Sequence, residues 1–144
     1  MNVMINLKGT QTVDGESDVV ELTTTGTMEP ILNGWKLCYQ ETEATGLDGT
    51  TTYLTATDER IQLERVGTYP SMLILEKGRR HHCTYNTPYG TLDLGTYASN
   101  IENALHNRGG NLNFSYTLGF NGSVSAEHSI NITVREEHTH VQHH

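Results

Sequence analysis

Apolar and polar side chains take turns along most of this chain, and that period of two constrains its fold more than any other feature. Val3, Ile5 and Leu7 alternate with Met4, Asn6 and Lys8, and Val20, Leu22, Thr24 and Met28 with Val19, Glu21, Thr23 and Thr25. Ile61 and Leu63 alternate with Gln62 and Glu64, and Leu112, Phe114, Tyr116 and Leu118 with Asn113, Ser115 and Thr117. Val124, Ala126, Ile130 and Ile132 alternate with Ser125, Glu127, Asn131 and Thr133, and His128 is the exception on the apolar side. Successive side chains of a strand point to opposite faces, so each run reads as a strand with one face in a core and the other in water.

Turn signals separate the runs: Asp14-Gly15, Asn33-Gly34, Asp48-Gly49, Lys77-Gly78, Gly109-Gly110 and Asn121-Gly122. Asx-Gly pairs supply the positive φ of tight hairpins, and Asn121-Gly122 between two clean runs is the strongest such signal. Pro30, Pro70 and Pro88 fall at run ends, where a missing N–H does little harm. Residues 100–106 have a helical reading through Ile101, Ala104 and Leu105 and a strand reading through Ile101, Asn103 and Leu105; the neighbouring runs favour the strand. Strands joined by short turns make an antiparallel meander, and a long meander exposes its edges unless it closes. The expected fold class is all-β, a meander of roughly eight to ten strands closing into a barrel whose interior holds side chains or one small ligand.

At 144 residues the chain is sized for one domain. The barrel is expected over residues 1–135. Residues 136–144 form a tail with His138, His140, His143 and His144 and no apolar period, expected to be disordered. A net charge of −8 disfavours a nucleic-acid surface and an anionic membrane surface, both of which need clustered Lys and Arg. Lys77, Arg79 and Arg80 with His81 and His82 are the only basic cluster, and read as a solvated hairpin before they read as an anion site. Cys38 and Cys83 show none of the spacings of a metal site. No Gly-rich phosphate loop, nucleophile elbow or paired-His zinc motif occurs, so no metal or cofactor is expected. No basic, apolar leader precedes the first run and no stretch nears the roughly 18 apolar residues of a membrane span, so a reduced, cytoplasmic setting is expected.

Chemistry concentrates after Trp35. Trp35, Leu37 and Tyr39 share one face, and the same period carries Glu41 and Glu43 onto it before an expected hairpin at Asp48-Gly49. Arg65 continues the apolar face of Ile61 and Leu63 in the same way. An unbroken strand brings a phenol, two carboxylates and a guanidinium into the barrel, where buried charge must be paired. A single bulge reverses the face, and a position at the rim leaves the charges in water; the sequence leaves both open.

Gly9-Thr10-Gln11, Tyr39-Gln40-Glu41-Thr42-Glu43 with Thr45-Gly46 and Gly49-Thr50, and Thr87-Pro88-Tyr89-Gly90 resemble the YwiB-like family of small bacterial proteins of unknown function. Arg65-Val66-Gly67, Leu75-Glu76-Lys77-Gly78 and Gly109-Gly110 support the match, which spans about residues 3–135. The resemblance implies a calycin or lipocalin-like barrel and supplies no reaction.

Three functions fit these residues. The favoured one is a non-catalytic barrel binding a small molecule inside, with Trp35, Tyr39, Glu41, Glu43, Arg65 and Tyr89 as candidate lining. The second is a structural or interaction protein using outward aromatics such as Tyr53 or Tyr97. The third is an enzyme using Glu41 and Glu43 as an acid/base pair and Arg65 as anion binder. Oligomeric state is left open, a homodimer through a barrel face being one option.

Overall fold

The computed structural model describes residues 1–43, 47–68, 70–87, 90–120 and 123–137. Ten antiparallel strands form it: β1 (Asn2–Val13), β2 (Glu16–Ile31), β3 (Gly34–Gln40), β4 (Thr50–Ala56), β5 (Arg60–Gly67), β6 (Ser71–Glu76), β7 (Arg80–Thr87), β8 (Gly90–His106), β9 (Gly109–Phe120) and β10 (Ser123–Glu136). Each pairs with the next in sequence, and β10 returns to β1, so the meander closes into a barrel. Residues 100–106 belong to β8, with a register shift between Ala98 and Asn100 where the long strand bends.

The turns follow from backbone chemistry. Val13 pairs with Glu16, and Asp14 and Gly15 between them both have positive φ, 51° and 80°, the geometry a two-residue primed turn requires. Between β2 and β3, Leu32 and Asn33 make the turn, Asn33 at φ 63°. At Asp48-Gly49 the expected tight hairpin is not formed. β3 stops at Gln40 and β4 starts at Thr50, and the connection closes with a turn in which the Thr50 N–H donates to the Leu47 carbonyl. The Asn121-Gly122 and Thr87-Pro88-Tyr89-Gly90 turns involve residues outside those described, although β9 and β10 pair as expected, starting at Phe120 and Ser123.

Directly paired residues share a face, so the register sorts the interior into levels. One end is packed solid. Trp35, Ala56, Ile61 and Leu75 lie at one level, and Ile5, Leu112 and Val134 fill the same end from the other side. The Asn103 amide crosses this end to donate to the Ala56 carbonyl. Removing a Leu or Ile side chain from water is worth about 1.5–3 kcal/mol, and this end holds most of the fully buried ones. The other end, where Tyr39, Arg65, Tyr116 and His128 emerge, is not filled.

Candidate site in the barrel interior

An interior cavity of about 390 Å³ occupies that second end. Its floor is apolar, with Leu54, Leu63, Leu73, Leu94, Phe114 and Ile132 among the lining residues. The rim carries Gln11 and Asp18, which pair across β1 and β2 and are exposed, so the cavity meets solvent there.

Its polar groups come from three sides. On β3 and the segment after it, Tyr39 is 3% and Glu41 6% exposed. The alternation of β3 reaches Tyr39, and the Glu41 N–H still donates to the Thr50 carbonyl at 2.8 Å, which carries the inward face one residue past the strand. On β4 and β5, Thr52 lies between Tyr39 and Arg65 at one register level. On β9 and β10, Tyr116 pairs with His128, and their rings stack at 4.8 Å and 5°. Phe114 extends this column, 6.1 Å and 20° from Tyr116.

The electrostatics tie the three sides together. The Thr52 hydroxyl donates to Glu41 Oε2, and Arg65 Nε stands 3.9 Å from the same oxygen, an ion pair beyond hydrogen-bond reach. Burial, and then the Glu41 charge, push the Tyr39 phenol far above its ordinary value, against the opposing pull of Arg65. Burial likewise raises Tyr116, again with Arg65 opposing. Burial first and the Arg65 charge second hold His128 below the usual imidazole value. Both phenols are therefore protonated and His128 neutral at neutral pH. Arg65 Nε and His128 Nε2 are buried without a hydrogen-bond partner among the described residues.

Of the residues singled out in the sequence, Tyr39, Glu41 and Arg65 meet at the cavity. No bulge intervenes: β3 keeps its register with both neighbours. Two placements differ from expectation. Glu43 is exposed, because β3 has ended and the period of two no longer governs it. Glu41 and Glu43 thus do not form the inward carboxylate pair that the third function requires. Trp35 shares the inner face but packs against the core at the solid end, two register levels below Tyr39, and is not on the cavity lining. Tyr89 lies outside the described residues. The sequence pattern does not mark Tyr116 or His128 as site residues. The signal for His128 was its place on the apolar side of an alternating run, where a polar ring needs a reason.

No group of His, Cys, Asp or Glu suited to a metal ion occurs among the described residues, and no helix among them is long and apolar enough to cross a membrane. Both cysteines are free.

Comparison with known proteins yields a family and a fold. The model of the family described as "Domain of unknown function (DUF1934)" matches residues 5–132. Among solved structures, the crystal structure of the ywiB protein from Bacillus subtilis superposes with a TM-score of 0.83 at 21% identity, covering 95% of this chain and 92% of that one. Both agree with the resemblance to the YwiB-like family. No curated protein matches.

Proposed function

The chain belongs to the DUF1934 family, a domain of unknown function, and from its interior we propose that it is a non-catalytic barrel that binds a small molecule in the cavity. The observation that carries this reading is the 390 Å³ cavity itself, which lies within the range of about 300–1,000 Å³ typical of ligand sites. Its construction supports it: an apolar floor for the body of a ligand, and a few placed polar groups to orient it. A core built only for stability fills such a space, because packing gaps forfeit dispersion energy. The solid opposite end of this barrel is built in that way. Fold alone would not carry the reading, since barrels of one architecture serve unrelated functions.

The test uses phenylnaphthylamine, a neutral apolar dye that fluoresces when removed from water, with native mass spectrometry of the purified chain for co-purified small molecules. The expected result is saturable dye binding by the folded protein, abolished by Leu118→Trp, which places an indole in the cavity from β9. Dye binding that survives this filling would place the dye on the outer surface and overturn the reading.

A further inference from the structure

The polar groups of the cavity also indicate what kind of ligand it takes, an inference that rests on the interior-binding reading above. Donors and acceptors are unequal there. Glu41 is the buried acceptor and is already engaged by the Thr52 hydroxyl, with Arg65 nearby. Asp18, the other lining carboxylate, lies exposed at the rim opposite Gln11. The donors are the Arg65 guanidinium and the two protonated phenols of Tyr39 and Tyr116, while the neutral His128 ring adds one donor and one acceptor nitrogen. The Arg65 Nε–H is buried with no acceptor among the described residues, and an unmade hydrogen bond of this kind is costly. A ligand that supplies an acceptor-rich, anionic group relieves that cost.

The wall beside these donors is aromatic. Phe114, Tyr116 and His128 form a column of near-parallel rings facing the cavity. Rings gain most from neighbours that are themselves rings, by offset stacking or by edge-to-face contact. We infer that the barrel binds a small aromatic carboxylate, its carboxylate held by Arg65 with the Tyr39 and Tyr116 hydroxyls and its ring system packed against the Phe114–Tyr116–His128 column. Guanidinium and carboxylate match as planar forks, a geometry that an ammonium does not offer. A saturated fatty acid shares the anionic head but forgoes the ring contacts, and is the competitor to exclude.

The experiment is displacement of phenylnaphthylamine from the full chain by naphthoate, by the uncharged isostere naphthamide and by decanoate. Naphthoate is expected to displace the dye about ten- to a hundredfold better than naphthamide, the scale of a hydrogen bond to a charged group, and better than decanoate. Arg65→Gln is expected to erase the preference for acid over amide while the dye still binds. Glu41→Gln, which removes the competing carboxylate, is expected to tighten naphthoate binding. If the dye binds but amide equals acid, decanoate outcompetes naphthoate, or Arg65→Gln keeps the preference, the ligand class is wrong and interior binding stands. If the folded chain does not bind the dye, the interior reading fails and this inference falls with it. Should Arg65→Gln not fold, the Glu41→Gln chain decides: naphthoate affinity equal to or below that of the unaltered chain overturns the proposal.

Discussion

Single residues at the cavity hold the tension between stability and function. Glu41, with its side chain 3% exposed, is bonded by Thr52 and attracted by Arg65, yet Arg65 stays too far away for a hydrogen bond. A site built only to stabilise the fold would close that gap, because the gain from a buried ion pair depends on good geometry. His128 is the titratable group most open to test. Burial and the Arg65 charge lower its pKa from the ordinary 6.5, and Tyr116 stacks on its ring. The folded chain therefore binds fewer protons than the unfolded chain between the lowered value and 6.5. The stability this group contributes is full above 6.5 and is lost as pH falls from there through the lowered value. Urea unfolding between pH about 7.5 and 4.5 should show a steeper loss in the unaltered chain than in His128→Phe, since only the former takes up this proton. Equal slopes would mean that His128 titrates as it does in the unfolded chain.

Among the strands, the seam between β6 and β7 is the weakest part of the closure. Among the described residues Ser71 and Tyr85 are the one pair that joins β6 to β7, whereas β7 and β8 pair from Arg80–Tyr97 through Thr87–Gly90. Thr96, 1% exposed on β8, bridges the gap: its hydroxyl donates to the Ile74 carbonyl at 2.7 Å and lies 3.4 Å from the His81 carbonyl. Thr96→Val keeps the shape and removes that donor, leaving the Ile74 carbonyl short of a partner, and should cost about 1–2 kcal/mol in urea unfolding. Amide exchange should accelerate first along β6 and β7 in this variant, while the β8, β9 and β10 ladder stays protected. Uniform acceleration across the barrel would show that the seam is no weaker than the rest. The strands themselves were legible because alternation and turn chemistry are local properties of sequence. The opening at the seam depends on Thr96 meeting Ile74 from a distant strand, which no local pattern encodes.

At the scale of the molecule, closure of the meander was legible and the division of its interior was not. Alternation says which side chains share a face, so Tyr39 and Arg65 read as candidates for the interior with a bulge or a rim position left open, and the structure places both at the cavity. Alternation does not say at which level of the barrel they sit. That is why Trp35 reads as lining although it packs at the solid end, and why Tyr116 reads as plain core although it stands at the cavity. Glu43 departs from the pattern for another reason: it lies beyond the end of β3 at Gln40, where the period of two no longer holds. The central claim is that small molecules bind inside this barrel. Intermolecular NOEs between bound phenylnaphthylamine and methyl-labelled protein test it most directly. Contacts to the methyls of Leu54, Leu73 and Ile132, which line the cavity, are expected. Contacts confined to exposed Val66 and Met72 would contradict it.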